Sequence, residues 1–219
     1  SKLYNFYPKI TISERDSIIL SKGHACTAIY ATLYHRGIIS YDDVLSYGQD
    51  GSPLMHHISH KVPGVDFSTG SLGHGLSFSV GLALNDKLQG KKNKRICILG
   101  DGELMEGSNW EAILLASHLQ LNNLILVIDY NNLQSLTTVD KTVGIEPIEN
   151  KFYSFNWFSQ RIDGHNHYQI ETALKLLDLN RPNVIIADTI KGKGISFIEN
   201  SVKWHYKNPS EEEYNLGLR

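Results

Sequence analysis

Three segments of this chain are apolar almost without a break: "RICILG" (95–100), "NLILVIDY" (123–130) and "NVIIADTI" (183–190). A strand with one wet face alternates apolar and polar residues. A run that is apolar throughout belongs to a strand buried on both faces, the signature of a parallel sheet. Between the runs, "EGSNWEAILLASHLQ" (106–120) and "YQIETALKLLDL" (168–179) carry apolar residues at helical spacing. This alternation specifies an α/β fold, a parallel sheet with helices on both faces.

The first half fits the same scheme. "RDSIIL" (15–20) predicts a buried strand, and "GHACTAIYATLYHRG" (23–37) a helix that stops at Gly37. "YDDVLSYG" (41–48) predicts a short helix, and "GHGLSFSVGLALNDKL" (73–88) a helix with small residues for close packing. Residues 48–75 are rich in Gly, Pro, Ser and His and lack periodicity. An irregular loop of that length inside a domain is usually functional.

A chain of 219 residues suits one hydrophobic core, so a single domain over 1–219 is expected. The opening "SKLYNFYPKI" reads as the end of an amphipathic helix running into Pro8, so the chain is expected to start within an element. With a net charge of −2 and no basic block, nothing favours nucleic acid or a membrane surface. Cys26 and Cys97 are far apart, which argues against a disulfide framework and points to a reducing cytoplasm.

The chemistry sits where strands end, the position at which parallel sheets bind ligands. Gly100-Asp101-Gly102 follows one apolar run, and the polar cluster Asp129 to Asn132 ends the next. The Asp101 carboxylate and the Asn131 amide oxygen are hard oxygen donors suited to Mg²⁺ or Ca²⁺. Gly100 and Gly102 leave bare backbone for an anion to approach. The helix starting near Glu106 adds N–H groups and a favourable dipole. A metal-clamped diphosphate is the ligand that this set implies. Histidines are numerous, and His56, His57, His60 and His74 crowd the irregular loop, where a zinc site or a solvated loop are alternatives. Trp110, Trp157 and Phe158 read as core or interface, and Cys97 as inert within its strand.

GDG followed about thirty residues later by NN resembles the thiamine-diphosphate motif. More narrowly, "RDSIILSKGHACTAIYATL", "PGVDFSTGSLGHGLSFSVGLAL", "GDGELMEGSNWEA", "DYNNLQ" and "IKGKGISFIENSVKWH" resemble, in order, the diphosphate-binding part of transketolase. The length resembles the small subunit of split transketolases. The resemblance implies thiamine diphosphate as cofactor, with Mg²⁺ or Ca²⁺. It implies transfer of a two-carbon ketol unit from a ketose (phosphate) donor to an aldose acceptor. Asp101, Asn131 and the Leu133 carbonyl match metal ligands. Gly70 and Leu72 match the loop against the aminopyrimidine, Gly102 a diphosphate contact with Gly100 beside it, and Ile190 an apolar neighbour of the cofactor. His24, His57 and His205 match active-site histidines, and His24 and His205 also belong with the cofactor contacts. For His57, counting back from "PGV" selects it over His56. Glu106 and Glu111 match subunit-interface glutamates near the cofactor; alternatively they are first-turn acids that stabilise a helix N-terminus.

The resemblance also implies a pyrimidine-binding domain on a partner chain, an α2β2 assembly, self-association, and no activity from this chain alone. The family's early histidine-bearing segment is expected before residue 1. Other two-component thiamine enzymes, 2-oxoacid dehydrogenase E1 or deoxyxylulose-phosphate synthase-like, are the alternative, with a non-catalytic regulatory subunit behind them. The "SKGHA" and "VKWH" histidines favour transketolase. P-loop and nicotinamide readings fail, since neither GxxxxGK[ST] nor GxGxxG after a strand is present.

Overall fold

The apolar runs form the centre of one sheet in the computed structural model, which describes residues 11–219. The opening "SKLYNFYPKI" lies outside the described residues. β1 (Ser17–Leu20), β2 (Arg95–Gly100), β3 (Leu124–Tyr130), β4 (Phe158–Asp163) and β5 (Asn183–Asp188) lie in the order β1-β2-β3-β5-β4, every pair parallel. The helices are α1 (Cys26–His35), α2 (Tyr41–Leu45), α3 (Gly75–Leu88), α4 (Gly107–His118), α5 (Val139–Thr142), α6 (Ile148–Ser154), α7 (His167–Lys175) and α8 (Glu211–Gly217). Among the described residues, no helix is long and apolar enough to cross a membrane.

Both faces are covered, as the apolar runs require. On one, Leu99, Leu126, Ile128 and Ile186 pack with Val80 and Ala83 of α3, Ile113 and Ala116 of α4, and Phe152 of α6. Trp157 is core there, and its indole N–H donates to the Ile113 carbonyl at 3.0 Å. On the other face, Ile125 and Ile185 meet Ala173 of α7, and Leu20 meets Cys26, Tyr30 and Leu33 of α1. Cys97 has no exposed surface, and burial pushes its thiol well up, so it is inert.

β4, α6 and α8 were not legible in the sequence. β4 is an edge strand, "FSQRID", with no residue in the fully buried class. With only one neighbour it needs no continuous apolar run, so its period is weak. The structure also trims "RDSIIL": the strand begins at Ser17, and Arg15 turns aside to pair with Asp66.

Register brings the functional segments to one edge. Gly100 stands beside Asp129, and Tyr130 beside Asp188. The chain therefore leaves β1, β2, β3 and β5 at one end of the sheet, on residues 21–24, 101–102, 131–133 and 189–191. The long irregular stretch between α2 and α3 is tied down beside that edge. The Thr69 hydroxyl donates to the Leu20 carbonyl at 2.6 Å, the Ile58 amide donates to the Gly23 carbonyl at 3.1 Å, and Leu54, Ile58 and Val62 are buried.

At the opposite end, Arg95 opens β2 wholly inside the protein. Its guanidinium donates to Asp86 of α3 at 2.5 Å and to the carbonyls of Ile12 and Arg15 at 2.9 and 3.0 Å. Removing one member of such a pair strands a buried charge. Asp86→Ala is therefore expected to cost about 3–5 kcal/mol in chemical denaturation, whereas substitution of the exposed Glu171 should cost under about 0.5 kcal/mol.

Candidate active site

Asp101 is the first residue beyond β2 and is 1% exposed. One carboxylate oxygen accepts from the Gly102 amide at 2.7 Å. The other accepts from the Asn131 and Asn132 amides at 2.9 and 2.5 Å. Burial pushes this carboxyl above the usual range, and the three N–H donors oppose the shift. The exit from β3 is thus folded onto the exit from β2. Asn132 takes φ +57°, a left-handed conformation that asparagine tolerates, and the Asn131 side-chain oxygen accepts from the Leu133 amide at 3.0 Å. Asn132 and Gln134 take the bonds of a short bridge to residues 137–139, which leaves the Leu133 carbonyl outside it. Among the described residues no donor reaches that carbonyl. Asp101, Asn131 and Leu133 therefore bring a carboxylate, an amide and a backbone oxygen to one hinge. At Gly102, a Cβ would lie 2.9 Å from the Gln134 side chain, which would have to shift to admit it.

Two further carboxylates hold this edge together, Glu103, which sequence reasoning missed, and Asp129, which it placed in the polar cluster without a role of its own. Glu103, 3% exposed, accepts from the Ser21 hydroxyl at 2.5 Å, the Gly73 amide at 2.9 Å and the Gly100 amide at 3.3 Å. Burial pushes its carboxyl up despite those donors. It joins the exits of β1 and β2 to the glycine loop that carries Gly70 and Leu72. Gly73 within that loop has φ +85°, and a Cβ there would meet Ser108 at 2.5 Å. Asp129 accepts from the Lys22 ammonium at 2.7 Å and from the Thr189 hydroxyl. Burial would raise its carboxyl, but the Lys22 charge and hydrogen bonds from Lys22, Thr189 and Asn131 hold it below the usual range. In the sequence, Asp129 reads as the first member of the cluster ending at Asn132, and Lys22 as part of "SKGHA". Their pairing spans 107 residues, and no local pattern announces it.

The histidines divide. The rings of His24 and His205 lie 5.4 Å apart. His57 packs against Gly70, where a Cβ would sit 3.6 Å from its ring, and it is among the groups that crowd His24. His56 instead shares a hydrogen bond with the Tyr47 hydroxyl at 3.0 Å. Among the described residues, no three His, Cys, Asp or Glu side chains converge as a metal cluster, so the crowded loop histidines do not make a zinc site. His205 Nδ1 is buried without a hydrogen-bond partner among the described residues. Burial lowers its imidazole, and Lys191 and Lys22 lower it further.

Ile190 leaves β5 with its amide donating to His165 at 2.7 Å. Glu106 occupies the N-cap of α4 but makes no side-chain capping bond, and Glu111 lies beyond the first turn. Both are exposed. Cys26 is buried against the Met55 carbonyl, and burial pushes its thiol up, which removes it as a nucleophile.

The chain from residue 5 to 216 matches the family model described as transketolase, thiamine diphosphate binding domain. The chain belongs to the transketolase family. It is 40% identical to an apulose-4-phosphate transketolase subunit of Actinobacillus succinogenes, over 99% of this chain and 80% of that one. It is 38% identical to a 6-deoxy-6-sulfo-D-fructose transketolase subunit of Clostridium sp., over 94% and 76%. The crystal structure of Campylobacter jejuni transketolase superposes with a TM-score of 0.91 at 31% identity. That superposition covers 98% of this chain and 35% of the other. This transketolase-family chain thus spans about a third of the solved transketolase but most of the two separate transketolase subunits.

His24 stands at the rim, exposed, yet its imidazole is held down to about 4. Surrounding protein desolvates it, and Lys22, His205, Lys191 and His57 add positive charge. It is therefore neutral at pH 7 in the folded chain. A histidine with a lowered folded pKa favours the unfolded chain as pH falls from 6.5 towards 4. The His24 Cε1–H NMR resonance is expected to titrate near 4, and His24→Gln to lessen the acid loss of stability over that window. A midpoint near 6.5 would contradict this electrostatic crowding.

Proposed function

We propose that this chain is the diphosphate-binding subunit of a two-subunit transketolase, and that a partner chain supplies the pyrimidine-binding domain. The observation that carries this reading is the Asp101 hinge. There, three hard oxygen donors meet bare glycine backbone at the carboxyl ends of β2 and β3. The donor set fits a magnesium or calcium ion holding a diphosphate. Asp101, Asn131 and the open Leu133 carbonyl would be the protein ligands, and Gly100 and Gly102 the backbone face.

Bound thiamine diphosphate supplies the centre at which a carbon–carbon bond beside a carbonyl is broken and remade. This chain's own residues hold one side of it and orient the substrate. Gly70 and Leu72 would border the aminopyrimidine, and Ile190 would cover an apolar side of the cofactor. His24, neutral at pH 7, accepts a proton or hydrogen bond from a substrate hydroxyl. His57 and His205 stand beside it as further partners of the transferred two-carbon unit. Glu106 and Glu111 lie exposed on the α4 side and are assigned to the interface between subunits. The names of relatives of nearly this span, subunits of transketolases, support a partner chain. We extend this to an α2β2 assembly acting on ketose and aldose substrates, phosphorylated or not. Free, buried Cys26 and Cys97 support a reducing, cytoplasmic setting.

The test is calorimetric titration of thiamine diphosphate with Mg²⁺ into the chain with and without its partner, followed by a ketol-transfer assay. Binding is expected to need metal and partner and to fall by about a hundredfold or more in Asp101→Ala. Turnover by the chain alone would overturn the two-subunit reading. Absence of binding with the partner present would overturn the cofactor assignment.

A further inference from the structure

Cys26 and Tyr30 stand four residues apart on α1, so they share one face of that helix. Both are buried, Cys26 wholly and Tyr30 to 3% exposed. Neither takes part in the chemistry described above. Each carries a polar hydrogen into the protein, and both meet the same stretch of the irregular loop. The Cys26 thiol donates to the Met55 carbonyl at 3.3 Å. The Tyr30 hydroxyl lies 3.2 Å from that oxygen and 3.3 Å from the His57 carbonyl. A hydroxyl has one proton to give, so with the thiol on Met55 the phenol is left for His57. Burial pushes both the phenol and the thiol up, so both remain proton donors at neutral pH.

The next residue is held by the start of the same helix. The Ile58 amide donates to the Gly23 carbonyl at 3.1 Å, and the Ile58 carbonyl accepts from the Thr69 amide at 3.3 Å. The main chain at His57 is thus bracketed by Tyr30 and Gly23, while its exposed ring rests against Gly70. His24 follows Gly23 in the turn that opens α1. The element that presents His24 therefore also anchors His57. The two are near enough for His57 to be among the groups that lower the His24 imidazole. An apolar pair at positions 26 and 30 would fill the same space but leave both carbonyls without a side-chain donor.

We propose that Tyr30, assisted by Cys26, is a positioning residue for ketol transfer: its hydroxyl fixes the main chain at His57 and so sets where the His57 ring stands relative to His24. This rests on the function proposed above, in which those two histidines are partners of the transferred two-carbon unit. Tyr30 and Cys26 act through His57 and not on that unit.

The experiment has two readouts. NMR of the full chain with labelled histidines follows the contact between the His57 ring and Gly70. Assays of the chain with its partner give the dissociation constant of thiamine diphosphate with Mg²⁺, and kcat and KM with D-xylulose 5-phosphate as donor and D-ribose 5-phosphate as acceptor. Tyr30→Phe is the main variant, because it keeps the packing and removes the hydroxyl. It is expected to weaken the ring contact and to lower kcat by about tenfold or more, with cofactor affinity within about twofold of wild type. Tyr30→Phe with Cys26→Ala should lose more, and Cys26→Ser, which keeps a donor, should lose less than Cys26→Ala. Tyr34→Phe, on the same helix, should match wild type. A purely structural role would lower the urea midpoint and leave kcat per cofactor-loaded protein unchanged, and that result overturns the proposal. A loss of turnover that only tracks lost cofactor affinity overturns it too, as does an undisturbed His57 ring in the double variant. If wild type binds no cofactor with the partner present, the function proposed above fails, and the ring contact alone decides whether Tyr30 holds His57.

Discussion

The Asp101 carboxylate is the point from which the functional edge of the sheet is organised. It is nearly inaccessible and accepts three backbone N–H groups from the exits of two adjacent strands. It ties the left-handed turn at Asn132, and with it the open carbonyl at Leu133, to the end of β2. The cost is a charge held in a poorly solvated place, offset by hydrogen bonds and not by a contacting cation. Such a group is stabilised by whatever brings positive charge to it, which makes the hinge receptive to a cation.

Glu103 repeats the arrangement one layer away. A single carboxylate ties the end of β1, the end of β2 and the glycine loop through Ser21, Gly100 and Gly73. Ser21 in turn accepts from the Gly75 amide at 3.1 Å, so the start of α3 belongs to the same network. Segments distant in the chain are thus positioned relative to one another by a few buried oxygens, with apolar helices fixing only the scaffold behind them. The division follows from physics. Packing is non-directional and places elements, whereas hydrogen bonds to carboxylates are directional and place loops.

What could be read from the sequence follows the same division. The strands around Ile98, Ile128 and Ile186 announced themselves because burial on both faces demands continuous apolar runs. The hinge at Asp101 and Asn131 was legible because glycines and amides at strand ends have few other uses, and the length of the 48–75 loop marked it as functional. β4 escaped because an edge strand needs no such run. Lys22 and Glu103 escaped because a lysine or glutamate beside a glycine looks like any solvated residue. Their roles come from partners far away in sequence, as with Glu103 and Ser21, which are 82 positions apart. His57 and His56 are neighbours in the chain, and only the loop path shows that one meets Gly70 and the other Tyr47.

The backbone bonds at Asp101 also bear on the order of assembly. In small zinc domains the metal is the nucleus around which the chain folds, so a chelator unfolds them. Here the turn that presents the oxygen donors is already closed by the chain's own amides. An ion arriving at this hinge would exchange one set of partners for another on a finished scaffold.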